Sequence, residues 1–246
     1  MDSNRKAHKR AIVLAIVASA VGGVFVPVDP AQATDPNGDL VYPPSATIAG
    51  QTYEQWAATW WQYIFSIPNP ANPTNDTSGA LCDVAQRGPV WFLAGSPSQH
   101  AVSRTCTIHA QGRPIFFPII NLECSTQDLP AQQYPDGFHC TDGGTCSTCA
   151  GLWGQQLDPS QLKASVDGHD LTALYTYLAQ SAPFQFQMPA NNVLGTGRSG
   201  AGTSVTSGYW LMLKPLSPGH HTVHFEGGLY GNVFHVNVTY ELNVVP

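Results

Sequence analysis

The chain has 246 residues, 43% hydrophobic and only 11% charged, with a formal net charge of −6. Globular chains ordinarily carry about 25% charged residues, so Ser, Thr, Asn, Gln and Gly must cover much of this surface. The ten Lys and Arg form no basic stripe, which argues against a nucleic-acid partner and against electrostatic attachment to anionic lipid.

The N-terminus reads as an export signal. The cationic "NRKAHKR" precedes the apolar "AIVLAIVASAVGGVFVPV", and "AQA" at Ala31–Ala33 meets the small-x-small cleavage rule. An uncleaved anchor is the alternative, but Gly22, Gly23 and Pro27 weaken the run as a spanning helix. We therefore assign 1–33 as a signal peptide, 34–50 as an extended leader and 51–246 as a single domain. No second apolar run of spanning length follows, so no membrane partner is expected after cleavage.

The first element after the leader is "TYEQWAATWWQYIFSIP". Thr52 with Gln55 makes a capping box, Glu54 sits in the first turn, and Pro68 ends the helix. Tyr53, Trp56, Trp60, Tyr63 and Ile64 share one face, which suits a helix laid on a sheet. "PVWFLAG" and "AVSRTCTIH", joined by "SPSQ", read as a hairpin. "RPIFFPIIN" is apolar on both faces, as a central strand would be, and Pro118 within it marks a bulge or an edge.

In "AVSRTCTIH" the period-2 alternation puts Arg104 on the face of Val102, Cys106 and Ile108. A buried Arg needs a partner, and Glu54, Asp76 and Asp83 are candidates. Arg104, Glu54 and His221 thus form a candidate buried polar centre. A one-residue error of register would flip Arg104 to solvent.

Residues 122–150 form a Cys- and Gly-rich excursion. The six cysteines, Cys82, Cys106, Cys124, Cys140, Cys146 and Cys149, all follow the signal, and in an oxidising compartment they read as three disulfides. The expected hairpin brings Cys82 to Cys106, leaving the other four to staple the excursion. "CSTC" also admits a redox motif, which needs a strand–helix context, or zinc, which needs a second CxxC. Beyond it, "LDPSQLKAS" reads as a short helix with Asp158 as N-cap. "VDGHDL" carries an Asp-Gly turn, and "PFQFQM" alternates as a strand. These short strands give an antiparallel β-sandwich or jelly-roll-like fold with one aromatic helix and a stapled loop.

The C-terminal "HHTVHFEGGLYGNVFHVNVTY" reads as a hairpin turning at "GGLYGN", with His224 opposite His235 on a polar face and His221 on the core face with Val223 and Phe225. A directly opposed His pair can share zinc or copper, given a third ligand such as His109 or His169; a solvated polar face is the competing reading.

Taken together, the motifs "YEQWAATWWQYIFSIP", "VWFLAG", "RTC", "FFPIIN" and "GYWLMLKPLSPGHHTVHF" resemble a group of uncharacterised secreted bacterial proteins. More loosely, "LSPGHHTVHF" is similar to a turn and strand of bacterial immunoglobulin-like domains. The resemblance implies a bacterial envelope or extracellular location and supplies no activity. No GxSxG, HExxH or P-loop occurs. The expectation is a non-catalytic binding or structural module, with glycan as a candidate partner through stacking on Trp91, Trp153 and Trp210. A secreted hydrolase or a His-metal oxidase is the alternative.

Overall fold

The computed structural model describes residues 37–109, 112–129 and 139–246. The expected signal segment 1–33, the first residues of the leader and positions 130–138 of the Cys-rich excursion lie outside the described residues.

Helix α1 (Tyr53–Ser66) starts where the capping box places it: Thr52 N–H donates to Gln55 Oε1 at 2.9 Å. Its aromatic stripe packs on a sheet, and each polar ring atom finds a backbone acceptor. Tyr53 donates to Tyr42 O (2.7 Å), Trp56 to Ile48 O (2.9 Å) and Trp60 to Leu93 O (2.9 Å). Large rings can therefore be buried without leaving their N–H or O–H groups unpaired. The first two acceptors belong to the expected leader. Residues 37–50 are thus tied into the fold, with Val41 fully buried and bridged to Leu213.

The first sheet runs β1 (Trp91–Phe92), β3 (Ile115–Ser125), β8 (Gly200–Leu213), then β6 (Leu178–Gln180) and β7 (Phe184–Met188) along the far side of β8. The second runs β2 (Val102–Ile108), β10 (His235–Val244), β9 (Gly219–Leu229), β4 (Leu157–Val166) and β5 (His169–Asp170). The sheets face each other through Phe117 and Phe225, whose ring centroids are 4.8 Å apart. Helix α1 covers the opposite face of the first sheet, where Trp60 and Phe116 meet Trp210. The β-sandwich with an aromatic helix is as expected. The sheets are mixed rather than purely antiparallel, since β1–β3 and β2–β10 pair in parallel.

That parallel pairing corrects the expected "VWFLAG"–"AVSRTCTIH" hairpin: β1 and β2 lie in different sheets. The Cys82–Cys106 bridge forms nonetheless, because residues 76–86 run along the free edge of β2, where Thr105 N donates to Ser78 O. An otherwise open sheet edge is covered and stapled.

Two other elements differ from expectation. "LDPSQLKAS" is strand β4, not a helix. Asp158 accepts from Ser160 N and Oγ and from Gln161 Nε2, so Asp158 and Pro159 build a bulge and pairing resumes at Lys163. In the Cys-rich excursion, 143–154 is helix α2. Asp142 caps it, accepting from Thr145 N while Thr145 Oγ1 accepts from Asp142 N. The Asp142–Thr145 spacing was the available signal, and Gly143-Gly144 obscured it. The remaining bridges join Cys124 to Cys149 and Cys140 to Cys146.

Gly79 lies against the β2 edge, and a Cβ there would collide with Thr105 backbone, whereas a Cβ on Gly88 meets nothing within 4 Å. Both have positive φ, +101° and +79°, so backbone strain is common to the two and only the collision differs. Gly79→Ala is expected to cost at least ~2 kcal/mol more than Gly88→Ala, read from denaturant midpoints. Equal costs would mean that the edge cover is loosely held.

Candidate functional site

Arg104 points inward and is fully buried, but among the described residues no carboxylate meets it. Its Nε donates to Asp76 O (2.7 Å). One terminal nitrogen donates to Ala94 O (2.6 Å) and to the Tyr240 hydroxyl, and the other to Thr74 O (3.3 Å) and Gly95 O (3.2 Å). Five N–H groups thus meet five acceptors drawn from separate parts of the chain. Asp76, expected as an ionic partner, serves through its carbonyl instead. Its carboxylate is taken up by Ser78 N, Gly79 N and Leu81 N. Burial works to raise the Asp76 carboxyl, but those hydrogen bonds outweigh it and hold the group below its ordinary value.

The other members of the expected polar centre are elsewhere. Glu54 is exposed on α1. His221 lies on the inward side of β9 but at the strand's end, with its ring between Asp167 Oδ2 (2.7 Å) and Ser217 O (2.9 Å). Arg104, Glu54 and His221 therefore do not form one site.

The β9–β10 hairpin exists, but His224 lies opposite Thr239 and His235 opposite Gly228, an offset of four residues from the expected register. An even offset preserves the faces, so Val223, Phe225, Val236 and Val238 still point to the core. The turn moves because Gly227 and Gly228 stay in the strand: a Cβ on Gly227 would sit 2.7 Å from Ile120 Cγ2 of the facing sheet. His224 and His235 are consequently not directly opposed. They flank Glu226, with His224 Nε2 3.1 Å from Oε1 and His235 Nε2 4.0 Å from Oε2. Lys163 and Asn237 also bind that carboxylate, each at 3.0 Å. Among the described residues no group of three or more His, Cys, Asp or Glu is arranged to hold a metal.

Among the described residues, one apolar concavity is a cleft of about 230 Å³ between the C-terminal half of α1, the bulge of β3 and the start of β10. Trp60, Trp61, Ile120, Leu194, Phe234 and Val236 give it apolar walls. Its position follows from local chemistry. The register of β3 shifts between Pro118 and Ile120, which turns Asn121 to the α1 face. There Trp61 Nε1 donates to Asn121 Oδ1 (2.9 Å) and to Thr206 Oγ1 (2.9 Å). Buried Asn72 donates to the last-turn carbonyls of Ile64 (2.8 Å) and Ile67 (3.1 Å), pairing acceptors that a helix end leaves open. That holds Thr74 and Asn75 at the rim. Asn192, also buried, donates to Pro189 O, Ala190 O and Arg198 O and fixes the loop carrying Val193 and Leu194.

Two strand positions further along the α1 face of β3, Glu123 accepts from Ser204 Oγ (2.6 Å) and is hydrogen-bonded to Asp128. Burial foremost, then the Asp128 charge, push the Glu123 carboxyl well above the ordinary range; burial raises Asp128 as well. One proton shared by such a pair relieves the repulsion. No local sequence signal marks Glu123, because its partner comes from a turn five residues on. Neither carboxyl lines the cleft.

Arg104→Leu is expected to destabilise by more than ~3 kcal/mol, since it leaves buried carbonyls unpaired, and Tyr240→Phe by ~1–3 kcal/mol. Chemical denaturation would read both, and losses below ~0.5 kcal/mol would mean that the cage is dispensable. For Glu123 the sign is set by a raised folded-state pKa. The favourable contribution is complete below the unfolded value of about 4.3 and is lost as pH rises through the folded value. Glu123→Gln should therefore flatten the fall in stability above about pH 5 and stabilise the protein at alkaline pH. A pH series of unfolding midpoints that parallels the parent protein would contradict this assignment.

No family model, curated protein or solved structure matches the chain.

Proposed function

We propose that this chain is exported and acts outside the reducing cytoplasm, in the bacterial envelope or extracellular space, as a non-catalytic binding module that holds a small apolar ligand in the cleft beneath α1. Export is supported by the signal-like N-terminus and by three disulfides that use every cysteine. The observation that carries the binding reading is the cleft, which is walled by aromatic and aliphatic side chains and edged by a few polar ones. That is the usual make-up of a small-molecule site. Its volume lies under the ~300–1,000 Å³ of drug-sized sites, which suits a single ring or a short acyl chain.

Glycan is disfavoured as the ligand. Trp91 and Trp210 are buried in the core and offer no stacking face, and Trp153 is only half-buried. A hydrolase reading has one observation in its favour, the Glu123–Asp128 pair. Turnover of an ester or glycoside that disappears in Glu123→Gln would support that reading instead.

Isothermal titration calorimetry with toluene and with hexanol tests the binding reading. Saturable binding with Kd on the order of 0.1–1 mM and a negative heat-capacity change is expected. Leu194→Trp, which fills the cleft from a surface loop, should abolish it. Absence of binding in the parent protein, or unchanged binding in Leu194→Trp, would refute the assignment.

A further inference from the structure

We infer that the ligand of the cleft carries a carboxylate, so that the molecule it takes is a small apolar acid. This inference rests on the reading of the cleft as a ligand site.

The cleft's polar edge offers two free donors, from Asn121 and Ser96. Trp61 Nε1 can only donate, so Asn121 must turn its carbonyl oxygen to the indole. That fixes the amide orientation and leaves the Asn121 Nδ2 donor without a partner among the described residues. Ser96, also in the wall, accepts from Ser98 N (3.1 Å), and its own hydroxyl proton has no acceptor among the described residues. Asn121 Oδ1 already accepts from Trp61, and the Thr74 and Gly95 carbonyls already accept from Arg104. The free donors of Asn121 and Ser96 select an acceptor on the ligand.

Charge separates a carboxylate from a neutral acceptor. Thr74 and Gly95 line the cleft and also bind the same terminal nitrogen of Arg104, so a full positive charge lies one residue behind the wall. That charge is solvated by carbonyls and a hydroxyl, and among the described residues no carboxylate touches it. Asp76, whose carbonyl binds Arg104, spends its carboxylate on the N–H groups of Ser78, Gly79 and Leu81. A carboxylate seated on Asn121 and Ser96 would gain an attraction to that charge that a neutral acceptor would not.

Calorimetry with hexanoate against its neutral isostere hexanamide tests the inference. Hexanoate should bind at least about tenfold more tightly. Asn121→Asp keeps the acceptor for Trp61 but replaces the free donor with a negative charge. It should weaken hexanoate at least about tenfold through charge repulsion, and weaken hexanamide, which loses only a neutral hydrogen bond, by a clearly smaller factor. If that variant fails to fold, Ser96→Ala supplies the same comparison with a smaller loss. Equal or tighter binding of hexanamide would overturn the carboxylate while leaving an apolar ligand site standing. Failure of hexanoate, hexanamide and hexanol alike would overturn both. Hexanoate binding unchanged in Asn121→Asp and in Leu194→Trp would place the acid elsewhere on the molecule and likewise overturn the inference.

Discussion

A buried guanidinium that no carboxylate among the described residues neutralises is the constraint around which the rest of this molecule is arranged. Removing such a charge from water is expensive, and the protein answers with five acceptors converging on Arg104. They come from the turn after α1, the segment after β1 and the last strand. Arg104 itself is on β2. One side chain therefore ties the second sheet to the first and to the helix that covers it. The Tyr240 hydroxyl closes the arrangement by donating to Ala94 O (2.8 Å) and accepting from Ala94 N (3.0 Å). None of these contacts can shift without leaving a buried carbonyl or cation exposed to an apolar environment.

The cleft is a by-product of the same convergence. Asn72 pins the turn that delivers Thr74 to both the cage and the cleft rim. Gly95 serves both, and the β3 bulge at Pro118 opens the wall opposite. A concavity built from the junction of one helix, a bulge and two pinned loops is pre-formed, so a ligand need not order it at the expense of affinity.

Much of this was legible in the chain itself, and the misses share a cause. Short-range chemistry was readable: the α1 cap, the inward Arg104, the bulge at Pro118, the alternation of Phe184, Phe186 and Met188, and the Asp167-Gly168 turn, whose φ angles of +51° and +77° confirm it. Long-range pairing was not. Nothing local tells β2 that its neighbour is β10 rather than β1, since both choices satisfy the same alternation. The hairpin register failed because "GG" reads as a turn unless Ile120, a hundred residues away in the chain, is known to press against it. Asp158-Pro159 imitates a helix start for a similar reason: an Asx turn in a bulge and an N-cap use the same side-chain acceptor. Arg104 was placed correctly but partnered wrongly. Sequence draws attention to acids, and every backbone carbonyl that binds it is invisible at that level.

The parallel pairing of β2 with β10 bears on how the chain reaches this state. Val102–Ile108 must wait for Val238–Val244, so the pair closes a loop of well over a hundred residues, a step with a large entropic barrier. Until it closes, Arg104 lacks the Tyr240 hydroxyl and β2 has one edge open. The Cys82–Cys106 bridge is local by comparison and can form first, covering the other edge while the strand waits. Oxidation can thereby precede strand closure. A thiol-reducing environment would prolong the interval in which an apolar strand with an internal cation lies unpaired, the state most prone to aggregate.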